Sequence, residues 1–379
     1  MPYLAESRSL YENFGGSCES ARQNAIKILK TDAYMQGLDW DNLSFSYRKT
    51  SAIIVSRFKD GQWTEPEVSE DFDFHFNAFA GVFHYGSACF EGLKAFRGVD
   101  GKVRIFRPDE NAKRIRRSAA RLGMAAPSEE MFIKMCAMCV QENIDFLPPY
   151  GHNASMYLRP VIEGVNPQIN ICPSDEVLFA VMCLPVGNYS KAASLQPVDA
   201  VISRNYDRAA PNGTGSYKVA ANYAMSLYPY TLAHKIGYAE LLFLDPATKT
   251  SVDEFGTSNF IGIKGNTYVT PLSDSVLPSI TNKSLRTLAE DLGMKVEMRR
   301  IPVEEISEFE EIDACGTAVV ITPVKSVTDK AELESQSVTA KYQMPSGEKC
   351  GRASLKLFNL IRGIQNGEES DIHGWCLEL

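Results

Sequence analysis

The segment from Pro185 to Gln196, carrying Gly187, Asn188 and Ser190, interrupts a succession of apolar runs near the middle of the chain. Gly, Asn, Ser and Pro gathered between patterned stretches mark a connection rather than an element. In a chain of 379 residues the consequence is two domains, each long enough to bury a core of its own. The expected division is a smaller N-terminal α/β domain with an N-terminal extension over residues 1–185, a connection over 186–197, and a larger C-terminal domain over 198–379.

The patterning on both sides of the connection mixes strands and helices. Ala52-Ile53-Ile54-Val55 and Lys102-Val103-Arg104-Ile105-Phe106 have the β-branched, alternating character of strands. Arg107-Pro108-Asp109 is a helix-start signal, and that helix is expected to run to about residue 122. A second helix covers about residues 129–145, and strands follow over 155–162 and 176–184. Beyond the connection, strands over 198–203 and 240–244 alternate with a helix over 219–235. Paired strands over 259–271, a helix over 282–292, strands near 295–301 and 317–321, and a closing helix over 351–364 complete an α/β (α+β) chain.

Composition narrows the function. Hydrophobic residues make up 44% and charged residues 23%, ordinary values for a globular protein. A net charge of −8 and no long basic block argue against a nucleic-acid surface. No apolar run approaches the roughly 20 residues of a membrane helix. Nine cysteines, odd in number and irregularly spaced, are no disulfide framework. Cys136 and Cys139 form a C-x-x-C, but the surrounding apolar residues recur at helical spacing and no second Cys/His pair completes a zinc site. They read as buried helix cysteines, and no metal is expected. The N-terminal 36 residues contain Glu6, Glu12, Glu19 and Asp32, unlike an acid-poor transit peptide, so the cytoplasm is the expected compartment.

Lys218 is the residue with the most chemistry in it. It lies in Ser216-Tyr217-Lys218-Val219-Ala220-Ala221-Asn222-Tyr223, among small and apolar neighbours with no carboxylate to pair it, after a Gly/Asn/Pro loop over 208–215. A lysine that forms a Schiff base needs partial desolvation and little anionic company. Three further stretches accompany it. One is His84-Tyr85-Gly86-Ser87-Ala88-Cys89-Phe90-Glu91-Gly92-Leu93-Lys94, leading to Phe106 through Arg114. Another is Glu254-Phe255-Gly256-Thr257-Ser258-Asn259, and the last joins Thr270-Pro271 and Leu277-Pro278-Ser279-Ile280-Thr281 with Gly316-Thr317-Ala318. Ile280 and Thr281 precede a helix-like run, and the free N–H groups of a helix N-terminus attract anions.

In this order and at these separations the motifs resemble the branched-chain amino-acid aminotransferases, fold-type-IV enzymes that use pyridoxal 5′-phosphate (PLP). The resemblance covers roughly residues 40–379. It implies a two-domain fold-type-IV architecture with the C-terminal domain binding PLP and the site at the domain interface. It implies Lys218 as the Schiff-base and catalytic lysine, Glu254 as partner of the pyridine nitrogen, and Tyr223 as donor to the ring oxygen. Arg114, Ile280, Thr281 and Thr317 are implied for the phosphate. For substrate it implies Tyr85, Phe90, Tyr157, Arg159 and Tyr189, with Thr317 and Ala318 holding the α-carboxylate beside Tyr157. Arg159 then meets the distal carboxylate of glutamate, and aromatic walls hold a branched side chain. The activity implied is ping-pong exchange of an amino group between leucine, isoleucine or valine and 2-oxoglutarate, so the small-molecule partners are amino acids and 2-oxo acids. Tyr85 is implied to reach a neighbouring subunit, hence a homodimer. Ser279 and Asn282 depart from the family pattern, which has glycine and a basic residue there; a glycine-specific backbone angle would be strained at Ser279. The rivals are a D-amino-acid aminotransferase or an aminodeoxychorismate lyase on the same fold, or a catalytically silent binding protein.

Overall fold

The computed structural model describes residues 38–187 and 195–379. Eight strands come before the connection: β1 (Ile53–Lys59), β2 (Gln62–Trp63), β3 (Glu67–Ser69), β4 (Ala88–Phe90), β5 (Leu93–Arg97), β6 (Val103–Phe106), β7 (Ser155–Gly164) and β8 (Val177–Val186). Nine more follow it: β9 (Val198–Ser203), β10 (Glu240–Leu244), β11 (Val252–Phe255), β12 (Asn259–Lys264), β13 (Thr267–Pro271), β14 (Lys295–Arg299), β15 (Glu311–Gly316), β16 (Val320–Lys330) and β17 (Ala340–Gln343). The last strand, β18 (Cys376–Glu378), returns to pair with β6. The helices are α1 (Gly81–Tyr85), α2 (Pro108–Arg121), α3 (Glu129–Glu142), α4 (Ala220–Lys235), α5 (Ile280–Asp291) and α6 (Arg352–Asn366).

The first sheet runs β18-β6-β5-β7-β8-β1-β2, with β3 on β1 and β4 on β7. Its pairings are all antiparallel, and β7 and β8 match over their whole length. Strand β8 is apolar almost throughout because α3 packs on it: Phe132, Met135, Cys136 and Cys139 share a core with Phe179 and Val181. Both cysteines of the C-x-x-C are therefore core residues; burial pushes the Cys136 thiol well up, and a hydrogen bond with Cys183 together with burial does the same to Cys139. The second sheet runs β11-β10-β9-β16-β15-β12-β13-β14, with β17 on β16. Because β11 also pairs with β12, six of these strands close into a ring around Ile202, Leu242, Phe255, Phe260, Ile312 and Val324.

The main elements expected beyond residue 50 are present. The strand expected near 317–321 is different: β15 ends at Gly316, residues 317–319 form a turn, and β16 begins at Val320, whose φ is +70°. A short apolar run cannot by itself distinguish one strand from two strands and a tight reversal.

Helix α6 docks on the second sheet through carboxylates. Glu311 accepts the N–H groups of Ala353 and Ser354 at 3.0 and 2.9 Å, satisfying the helix N-terminus. The Ser354 hydroxyl lies 2.5 Å from Glu311 and 2.6 Å from Asp313. One hydroxyl proton cannot serve both, so protonated Asp313 donates to Ser354 while Ser354 donates to Glu311. Burial pushes the Asp313 pKa up to about 8, and its Oδ1 has no partner. Between pH 4 and 8 the native state then holds a proton that the unfolded chain has released, so stability falls as pH rises through that window and levels off above it. Asp313→Asn keeps a donor for Ser354 and removes the proton. Thermal melts should show little difference from wild type at pH 5 and a variant more stable by several degrees at pH 8. An offset that does not change with pH contradicts a protonated Asp313.

Candidate active site

The Lys218 segment is fastened to α2 and to β4 of the first sheet. It is pinned on both sides: the Lys218 N–H donates to Ser118 on α2, and the Phe90 N–H donates to the Lys218 carbonyl. Next to it, Cys89 and Val219 form an antiparallel bridge. The loop leading in is held by Asn222, whose Nδ2 donates to the Thr214 and Tyr217 carbonyls. With its backbone fixed, the half-buried Lys218 projects its Nζ to the Tyr223 hydroxyl, 2.8 Å away, and over the Phe90 ring at 5.0 Å. Phe90 and Tyr223 pack with centroids 4.8 Å apart.

Phe90 carries a second cation. The Arg159 guanidinium lies 4.7 Å from its centroid and 5.3 Å from that of Tyr157, and donates to the Tyr157 hydroxyl at 3.2 Å. Arg159 Nε is buried with no partner. Strand alternation on β7 sets Tyr157 and Arg159 on one face, as their spacing requires.

Glu254 is buried at the end of β11. One carboxylate oxygen accepts the Leu277 N–H at 3.0 Å and faces Arg208 at 2.6 Å; the other accepts from Asn259 Nδ2 at 2.7 Å. Burial pushes its pKa up, and Arg208 opposes the shift. Asn259 is held in turn by Asn282, which also bonds Thr270 and accepts from Tyr268. A basic side chain would not fit that network, which accounts for asparagine at 282. Ser279 has φ −73° and ψ 132°, ordinary extended backbone, so the expected strain is absent. Its hydroxyl caps α5 by accepting the Asn282 N–H at 3.2 Å.

Ile280 and Thr281 open α5, and with Thr317 they line one small cavity beside Gly92 and Asn111. Arg114 approaches the same corner, donating to the Pro278 carbonyl at 2.9 Å. Fully buried Glu91 takes its Nε and Nη2 at 2.7 Å each, and Asn111 donates to Glu91 as well. Of the five N–H bonds of a guanidinium, these contacts use three and leave two. Two fixed guanidinium donors and the free N–H groups of a helix start form a set suited to a phosphate.

The turn at residues 317–319 is fastened to the first sheet. The Thr317 hydroxyl donates to the Gly92 carbonyl at 3.1 Å, and Lys94 Nζ donates to the Ala318 carbonyl at 2.7 Å. Burial and the nearby Arg362 charge push the Lys94 pKa down to about 7.

Thus Lys218, Tyr223, Phe90, Tyr157 and Arg159 are joined by direct contacts, Glu254 has its own buried network, and Arg114, Ile280, Thr281 and Thr317 share a corner. Tyr85 stands apart: it is exposed, and its hydroxyl donates to the Ile169 carbonyl. Tyr189 lies outside the described residues. Sequence reasoning missed Glu91, Lys94, Arg208 and Asn259 as supports. All four lie within the motif stretches, but nothing in their local sequence marks them as buried supports.

A fold of two sheets meeting at one lysine, with a phosphate-type corner and a buried carboxylate, defines an aminotransferase-type site. The family described as amino-transferase class IV matches residues 88–327. The chain is 42% identical over 347 residues to the branched-chain-amino-acid aminotransferase of Helicobacter pylori, covering 91% of this chain and 99% of that relative. It is 40% identical over 352 residues to the Haemophilus influenzae protein of the same name, covering 91% and 100%. The solved branched-chain amino acid aminotransferase of Escherichia coli superposes with a TM-score of 0.67 at 26% identity, covering 87% of this chain and 99% of that one. The chain belongs to the class IV aminotransferase family.

Proposed function

We propose that this protein transfers amino groups between branched-chain L-amino acids and 2-oxoglutarate, with PLP as cofactor, in two alternating half-reactions. The observation that carries it is the sharing of Phe90 by Lys218 and Arg159: a reactive amine and a guanidinium with no carboxylate partner among the described residues lie against one aromatic ring. That combination suits a branched apolar side chain in one half-reaction and a distal carboxylate in the other.

PLP, when bound, supplies an electron sink for the pair left at the substrate α-carbon. Arg114, the N–H groups of Ile280 and Thr281, and Thr317 would hold its phosphate; Glu254 its pyridine nitrogen; Tyr223 its ring oxygen; Lys218 its aldehyde. Lys218 Nζ, as a free amine beside bound substrate, would take the proton from the α-carbon of the amino acid in one half-reaction and give a proton to the α-carbon of the 2-oxo acid in the other. Tyr223, 2.8 Å away, holds that amine in place. Tyr157 and the backbone of Thr317-Ala318 bind the α-carboxylate, and Lys94 steadies that turn.

Arg159 serves only a substrate with a second carboxylate. Arg159→Met keeps much of the stem and deletes the charge, and a buried charge-assisted contact contributes about 1.5–3 kcal/mol. Stopped-flow absorbance of the separate half-reactions should show kcat/KM for glutamate falling roughly 10- to 150-fold, with leucine changed far less. An equal loss for both would move Arg159 to the α-carboxylate or the fold.

A homodimer is part of the proposal. Phe79, Phe83, Ile169 and Ile171 are exposed around Tyr85, an apolar patch that a second copy would cover, bringing Tyr85 towards the neighbouring site. The proposed compartment is the cytoplasm, in keeping with free thiols at every described cysteine. Among the described residues no helix is long and apolar enough to cross a membrane.

A further inference from the structure

A cleft of about 290 Å³ opens where β5 ends, beside the last turns of α6 and the loop of residues 148–154. None of Lys218, Tyr223, Glu254, Arg159 or Thr317 lines it. Phe96, Phe358 and Pro148 contribute apolar surface, and Arg97 and Arg362 bring two guanidinium groups. Arg362 lies 5.0 Å from the Phe96 centroid and donates to Gln365 at 3.2 Å, but forms no ion pair among the described residues. Burial pushes its pKa down to about 10, against the opposing field of Glu368. The Arg97 side chain has no hydrogen bond, ion pair or ring contact among the described residues, while its backbone pairs with Val103. Glu368 is the one carboxylate in the lining, and it already accepts from the Tyr150 hydroxyl at 2.8 Å.

Two arginines facing one engaged acid leave donors unspent in a partly desolvated space, which is unfavourable until an acceptor arrives. A carboxylate meets guanidinium groups through paired, charge-assisted bonds. The apolar part of the lining asks for hydrocarbon on the same molecule. We propose that this cleft is a second binding site for a small aliphatic carboxylate, held by Arg97 and Arg362 with its hydrocarbon part against Phe96, Phe358 and Pro148.

The site has a route to the catalytic one. The Arg362 charge disfavours protonation of Lys94, and Lys94 carries the Ala318 carbonyl of the 317–319 turn. A carboxylate on Arg362 offsets that field, so Lys94 keeps its charge and with it the stronger, charge-assisted bond to the Ala318 carbonyl. Occupancy of the cleft then tightens the turn to which the substrate carboxylate is assigned. The coupling rests on the proposed activity; the existence of the site does not.

Equilibrium dialysis of the PLP-loaded enzyme with radiolabelled 4-methylpentanoate, which has no amino or oxo group to react, counts the sites. Wild type should bind two molecules per subunit, one at each site. Arg97→Ala, outside the catalytic machinery, should bind one and retain basal turnover. Arg97→Lys, which keeps the charge without the fork, should restore the second molecule with weaker affinity. Equal numbers of molecules bound by wild type and by Arg97→Ala would overturn the proposal. So would a second site that takes inorganic phosphate and refuses the carboxylate, or an Arg97→Ala enzyme that loses both molecules together with turnover. Failure of the catalytic assignment has a different signature: the molecule lost on replacing Arg97 would still be lost, while the other would be missing from wild type as well, or would be insensitive to changes at Tyr157.

Discussion

Lys218→Ala should lower the turnover of L-leucine with 2-oxoglutarate by roughly 10³-fold or more, since it removes both the covalent anchor and the proton carrier. The fold should survive the change. The backbone contacts that fix the segment, Lys218 N–H to Ser118, Phe90 N–H to the Lys218 carbonyl and the Cys89–Val219 bridge, do not involve the side chain. What is lost is the 2.8 Å bond to the Tyr223 hydroxyl and the cation over Phe90, both in a half-buried site. Steady-state assays with thermal melts separate the two effects: kcat should collapse while the melting temperature stays within a few degrees of wild type. Borohydride reduction of wild type followed by peptide mass mapping should place the cofactor on Lys218. Label on another lysine, or a variant with near-normal turnover, removes Lys218 from the mechanism.

Glu254→Gln should have the second largest effect, and on two properties at once. The carboxylate accepts from Leu277, Asn259 and Arg208, all donors. Glutamine has one acceptor oxygen, so its amide must face a donor whichever way it turns. It also leaves buried Arg208 without its counter-charge. Breaking a buried ion pair by removing one partner costs about 3–5 kcal/mol, so the melting temperature should fall clearly. Turnover should fall by roughly 10²-fold or more, because a preorganised buried charge beside the cofactor nitrogen is lost. A lower melting temperature with unchanged kcat would make Glu254 a structural carboxylate only. Varying the PLP concentration in the assay distinguishes poor loading from poor chemistry.

The outline of this site was legible in the sequence because its reactive residues sit in motifs with unusual neighbours. Lys218 stands among small apolar residues, and Glu254 precedes Phe-Gly-Thr-Ser-Asn. The supports were not legible, for a physical reason. Glu91 and Lys94 fall within a strand-like stretch, where a single charged residue normally marks the solvent face. Helix α2, which carries Arg114, takes Glu91 inward, and the 317–319 turn of the second sheet takes Lys94 onto the Ala318 carbonyl. Arg208 likewise sits in a loop and acquires its role from a carboxylate that is distant in sequence.

The two departures at 279 and 282 illustrate the same limit. Local rules made Ser279 a site of strain, whereas its extended backbone and its capping bond to the Asn282 N–H make it an ordinary helix start. Asn282 makes sense only through Asn259, Thr270 and Tyr268, which β12 and β13 bring around it. On the fold, long periodic elements such as α2 and β8 emerged close to their expected bounds. The reversal at residues 317–319 is a tight turn hidden inside one apolar run, and the return of β18 to the first sheet depends on a pairing with β6 far away in the chain.

The most direct test of the central claim follows the cofactor's absorbance in the PLP-loaded enzyme through both half-reactions, one substrate at a time. Adding L-leucine alone should shift the band and release one equivalent of 4-methyl-2-oxopentanoate per active site. Adding 2-oxoglutarate alone to the product of that step should restore the original band and release one equivalent of L-glutamate. D-leucine should do neither. A spectrum that shifts with D-leucine instead, or release of pyruvate or ammonia in place of a recoverable amino group, would contradict the account.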